Sequence, residues 1–267
     1  MRNNEISETA ESKSLSIEIK KLSAEYLELY TQFKDMTDNE PLLYSVYLNK
    51  LGYLLFELFE KKTECSRLKM KMELIQTALN RDEKPDIPVI EVKLNTLLSN
   101  YYQQINKNAE TLETAKQVLR DLLPPEFVAE LKEIFHLLCK KLHPDLNPHQ
   151  TENDKDLFLK VKAAYDLNDL TELKKILLNL DSKQEPAEQT TQQTTGEKRK
   201  KLDFISKNIA VLKEKIEKLN ETFPYNMKDV LNDDDKVTAE QDAVKVQINF
   251  YEQEANKYEA FIELMLS

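Results

Sequence analysis

Three histidines, His136, His143 and His149, stand close together in a chain of 267 residues that holds no others. Neutral imidazole is the commonest metal ligand, so the cluster first suggests a metal site. The spacing argues against one. No HxxxH pair puts two rings on one helical face, and no glutamate is placed as the base for a metal-bound water. Cys65 and Cys139 lie far apart without CxxC spacing, which indicates neither a zinc site nor a disulfide framework and fits a reducing compartment. No metal or cofactor is expected. The 48 acidic residues outnumber the 38 Lys and Arg, but none is flanked by a nucleophile, so no enzyme active site is expected. Glycine sharpens the exclusion. Only Gly52 and Gly196 occur, and loops that cradle phosphates need several glycines so that backbone amides can approach. What remains is a tripeptide, His143-Pro144-Asp145.

The tripeptide falls at a helix stop. Ahead of it Leu131, Phe135, Leu138 and Leu142 share one helical face, while Lys132, His136 and Lys140 project from the other, with Lys141 alongside. Pro125 suits the first helical position, and Pro144 biases His143 away from helical angles. After an exposed loop, Thr151 to Asp154 reads as a capping sequence for a second helix presenting Phe158, Val161, Ala164 and Tyr165 on one side. Asp169 to Glu172 opens a short third helix in the same way.

This apolar and basic helix ending in His143-Pro144-Asp145, the following Leu146-Asn147-Pro148, and the second helix with Phe158, Val161 and Ala164-Tyr165 together resemble the J-domain family, co-chaperones of DnaK-type chaperones. The resemblance implies two antiparallel helices with the tripeptide at the loop tip. Its implied core is Phe135, Leu138, Leu142, Phe158, Val161, Ala164 and Tyr165, with Cys139 at a position the family fills with a small residue. It further implies that Asp145 pairs with a basic group of the chaperone, that Pro144 holds the loop and that His143 positions it. Lys132, His136, Lys140 and Lys141 would then steer the approach. The ATP hydrolysed is the chaperone's, and this chain is no enzyme. The sequence departs from the family in four ways. Glu126, Glu130 and Glu133 offset Lys132, Lys140 and Lys141, and Leu146 stands where a base is frequent. There is no Gly/Phe-rich region or cysteine repeat, which resembles the minimal class. The family's short first helix is not evident, and the end of the 89–123 helix is expected to cover that face.

The flanking sequence is built from helical stripes. Leu15, Ile19, Leu22, Tyr26, Leu29, Phe33 and Met36 recur in steps of four and three, up to an interruption at Thr37 to Pro41. A second helix is expected from about Leu42 to Leu79 and a third from Val89 to Leu123, with Asn108 the one polar member of its seam. Pro85 and Pro88 separate these two. Residues 1–123 therefore read as an N-terminal helical bundle and 124–181 as the J-like unit. Residues 182–200 read as a flexible polar linker, because SKQEPAEQTTQQTTG cannot bury enough surface to order itself. Residues 201–267 read as an antiparallel coiled-coil hairpin, joining the stripe Leu202 to Phe223 to the stripe Val237 to Met265, within one chain or between copies. No strand-like alternation occurs, so the fold class is all-α.

A net charge of −10 sets the whole-molecule field against nucleic acid. Lys198 to Lys201 is accordingly read as solvating a coiled-coil start. The N-terminus lacks a signal-like apolar core, and no run of about 20 apolar residues occurs, so a soluble cytoplasmic chain without membrane contact is expected. The expected function is a co-chaperone that stimulates a DnaK-type ATPase, with the flanking helices selecting a client or location. The alternative is a coiled-coil scaffold that keeps the J-like hairpin only as structure.

Overall fold

Leucine and isoleucine at helical spacing, with almost no glycine between them, produce ten α-helices and no strand among the described residues of the computed structural model, which are 10–147, 150–182 and 194–267. None of these helices is long and apolar enough to cross a membrane. They form two units, each drawn from separated stretches of chain. The first unit joins Met1–Asn39 to Leu123–Phe223, and the second joins Glu40–Leu122 to Pro224–Ser267.

In the first unit, α1 (Ala10–Tyr47) contributes its N-terminal part. It packs with α5 (Pro125–Leu142), α6 (Glu152–Asp166), α7 (Leu170–Ser182) and α8 (Thr195–Glu221). One core contains Phe135, Leu138, Val161 and Leu173 of the α5–α7 region, Tyr26 and Leu27 of α1, and Ile205 and Ile209 of α8. The α5 and α6 helices run antiparallel, because Phe135 stacks on Tyr165 at 4.0 Å while His143 meets Phe158 at 5.1 Å. Pro125 opens α5. Thr151 and Asp154 form a full capping box on α6, and Asp169 accepts from Glu172 N at 3.0 Å to start α7. The helix covering the hairpin is α1, not the end of the 89–123 segment.

In the second unit, α1 continues through Pro41 into a wider helical turn, Leu48–Gly52, and then α2 (Tyr53–Leu79). The expected interruption at Thr37 to Pro41 does not occur. Proline removes the backbone donor for Thr37 O, but packing holds α1 on both sides of it, with Tyr26 and Leu27 before and Leu43 and Val46 after. The third predicted helix divides at Leu98 into α3 (Ile87–Leu97) and α4 (Ser99–Arg120). Asp86 caps α3, with Pro88 in its first turn. Asn108 is buried and accepts from Gln104 of its own helix.

The terminal hairpin is corrected most strongly. The short α9 (Lys228–Leu231) and the long α10 (Asp234–Leu266) belong to the second unit, whereas α8 belongs to the first. Along α10, Val237 meets Leu51, Ile248 meets Leu54 and Leu58, and Ile262 lies with Leu68 and Ile75. Both numberings rise together, so α10 and α2 form a parallel pair. The stripes mark most of the buried positions, although Phe223 at the end of its stripe is exposed, but they do not encode which other stripe each one meets. Of the expected linker, residues 183–193 lie outside the described part, and α8 already begins at Thr195 behind a capping box from Thr194 and Glu197.

Candidate functional site

The site grows from the end of α5. His143 leaves the helix with extended angles, φ −68° and ψ 128°, as proline at the next position requires. Its carbonyl accepts from Leu146 N and Asn147 N, at 3.1 and 2.9 Å, which closes the chain into a turn. Asn147 Nδ2 also donates to Lys141 O and His143 O and so caps the last carbonyls of α5. Pro144 is exposed at the tip, while Leu146 is buried beneath it.

His143 is only 6% exposed, although the resemblance implies a place at the loop tip. Its ring stands edge-on to three aromatics: Tyr30 at 4.3 Å, Phe158 at 5.1 Å and Tyr26 at 5.2 Å. Its Nδ1 accepts from Asp145 N at 3.2 Å, so Nε2 carries the proton of the neutral ring. Burial lowers the pKa to about 4, aided by Lys162 and opposed by the Asp145 carboxylate. His143 is therefore neutral at physiological pH and acts as an aromatic core residue.

Asp145 is equally engaged. Its Oδ2 accepts from Tyr26 Oη at 2.5 Å and from Asn208 Nδ2 at 3.1 Å, one donor from α1 and one from α8. Burial and this acidic acceptor raise the Tyr26 pKa well above the usual phenol value, so the hydroxyl stays a donor. Lys201 reaches from α8 to Leu146 O at 3.2 Å, and burial lowers its pKa. One turn earlier on α8, Lys198 is buried against Ser12 and Ser16, with Nζ–Oγ distances of 2.7 Å. This basic segment thus clasps α1 and the loop instead of solvating a coiled-coil start.

The seven predicted core residues are all buried together. The predicted approach residues fare unevenly. Lys132 pairs with Asp35 of α1 at 2.9 Å, and the same carboxylate accepts from Tyr165. His136 and Lys141 are half-buried, and Lys140 is exposed. His149 and Pro148 lie outside the described residues. Sequence reasoning missed Tyr30, Asp35, Lys201 and Asn208. Tyr26 was visible as a stripe residue, but nothing in the spacing revealed that its hydroxyl reaches position 145.

The Cys139 thiol is buried and pushed up to about 12, so it persists as a neutral thiol. Among the described residues no group of His, Cys, Asp and Glu converges on a metal position. The arrangement presents a carboxylate on a short loop between two helices, held by one donor from α1 and one from α8. Comparison of the chain with protein-family models, curated proteins and solved structures gave no match.

Proposed function

We propose that the chain is a co-chaperone of the J-protein type, working from a closed state in which α1 and α8 hold its docking tripeptide. The observation that carries this reading is the position of His143-Pro144-Asp145 at the turn between two antiparallel helices that share one apolar core. A DnaK-type chaperone would supply a basic group to Asp145 in exchange for the Tyr26 and Asn208 donors, and Lys140 would face its acidic surface. The ATP chemistry belongs wholly to the chaperone. Client choice would rest with the second unit.

A second reading, a helical scaffold that uses the hairpin only as structure, is favoured by the same two hydrogen bonds. They give Asp145 an internal role, as the aromatic surroundings do for His143. Single-turnover ATP hydrolysis by the DnaK-type chaperone of the same organism separates the two. Tyr26→Phe with Asn208→Ala removes both donors. A hydrogen bond to a charged group contributes about 1.5–3 kcal/mol, so the double variant should stimulate hydrolysis at least tenfold better than wild type at limiting concentration, by roughly 1.4 kcal/mol per decade. Asp145→Asn keeps the shape and loses the charge, and it should not stimulate at all. If no variant stimulates, the scaffold reading stands.

A further inference from the structure

Helix α10 is amphipathic twice over. Its inner stripe, including Val244, Ile248 and Ile262, is buried against α2. A second stripe on the opposite side runs from Ala239 to Leu264 in steps of four and three, the spacing of a coiled-coil seam. Its large members are left in water. Val246 is 69% exposed, Phe250 55% and Leu264 73%, with Phe261 on the seam's edge at 55%. Ala239, Ala243 and Ala260 leave gaps between them, and all three are exposed. Scattered apolar residues on a surface need no explanation, but Val246, Phe250 and Leu264 recurring at seam spacing, with Phe261 beside them, do.

The residues flanking the seam indicate what covers it. The nine flanking positions from Asp235 to Glu263 include five acids, Asp235, Glu240, Asp242, Glu254 and Glu263, and no Lys or Arg. Neighbouring lysines moderate two of these, with Lys245–Asp242 at 3.0 Å and Lys257–Glu254 at 2.6 Å. Among the described residues Asp235, Glu240 and Glu263 have no cation within ion-pair distance. A second copy on this face would set acid against acid in either orientation, which costs both rate and affinity. A helix with lysine or arginine beside its apolar stripe removes that conflict. Gln253 and Lys257 are the only polar members of the seam between Ala239 and Leu264, and polar residues there fix register.

We propose that the outer face of α10 is a docking surface for a basic amphipathic helix of another protein. The partner's large apolar residues fill the gaps at Ala239, Ala243 and Ala260, and Phe250 and Leu264 insert between them. Its flanking cations meet the acidic rows. This surface is independent of the tripeptide and holds whether or not the chain acts on a chaperone.

Two synthetic four-heptad peptides with the same leucine seam test the proposal, one flanked by lysine and one by glutamate. Each is titrated with the full chain by fluorescence anisotropy. The lysine peptide should bind at least about tenfold tighter than the glutamate peptide, with an advantage that shrinks as salt rises. Phe250→Asp with Leu264→Asp should weaken the lysine peptide by about tenfold or more at an unchanged melting temperature, since neither side chain is in the core. Val246→Asp gives the same loss should the double variant melt early. Equal binding of the two peptides, or binding of neither, overturns the proposal. So does sedimentation showing a wild-type dimer that Phe250→Asp dissociates, because the face would then belong to a second copy.

Discussion

Ile205→Asp is expected to unfold the first unit. Ile205 is fully buried on α8, within the same core as Phe135, Leu138 and Val161. An unpaired carboxylate there lacks both water and a counter-ion, and the penalty is at least about 3 kcal/mol. Ile205→Val, which only trims a methylene, should cost about 1 kcal/mol. Amide hydrogen exchange is the sharper measurement. Protection should fall across α5, α6 and α7, which all lie before the 183–193 stretch, as well as within α8. If α8 paired only with another long helix, the α5–α7 amides would keep their protection. That outcome would remove α8 from this core.

The second large effect is a loss of stability in mild acid, caused by His143. Its folded pKa is about 4 because burial disfavours the imidazolium, while the unfolded chain keeps the ordinary 6.5. Between these values the unfolded state binds a proton that the folded state refuses. Stability is therefore complete above about pH 6.5, declines as pH falls through the window, and has lost the whole contribution near pH 4. From pH 6.5 to 5 the loss is about 2 kcal/mol, at 1.36 kcal/mol per unit. Urea unfolding followed at Tyr26 and Tyr30 should show the midpoint moving down over this range. His143→Phe keeps a ring among the three aromatics and cannot titrate, so its midpoint should hold nearly steady. An equal slope in the variant would place the acid sensitivity elsewhere, among the carboxylates.

The same two residues show how far the sequence could be read. Fold class, the inward face of each stripe and both capping sequences were legible, because helical periodicity and side-chain capping are local properties. The α5–α6 core was legible for the same reason, down to Tyr165. Partner choice was not. The stripes of α8 and α10 are similar in strength, and adjacency in sequence favoured pairing them with each other. The structure gives α10 to α2 and α8 to α1, where Lys198 meets Ser12 and Lys213 meets Glu25, and nothing local encodes either contact. Pro41 misled as a helix stop because one lost backbone bond is outweighed by packing on both sides of it, at Tyr26 and Leu27 and at Leu43 and Val46. The burial of His143 at the loop end was not legible, because it comes from Tyr26 and Tyr30, which lie more than a hundred positions earlier.

The split ancestry of each unit has a consequence for how the chain comes off the ribosome. The contact between Ser12 and Lys198 spans 186 positions, and that between Lys50 and Gln241 spans 191. Neither the first turns of α1, at Ser12, nor the face of α2 with Leu54 and Leu58 finds its lasting neighbour until late in the sequence. Synthesis reaches Leu212, the last buried α8 residue of the first core, before it reaches Ile262 of α10. At about 5–20 residues per second the first unit can close several seconds ahead of the second. Throughout that interval Leu54 and Leu58 of α2 remain a nascent greasy strip, while Leu68 already has Ile90 and Leu94 of α3 beside it, and α10 seals the strip last. A ribosome that pauses before α10 would leave a well-folded first unit attached to an aggregation-prone second one.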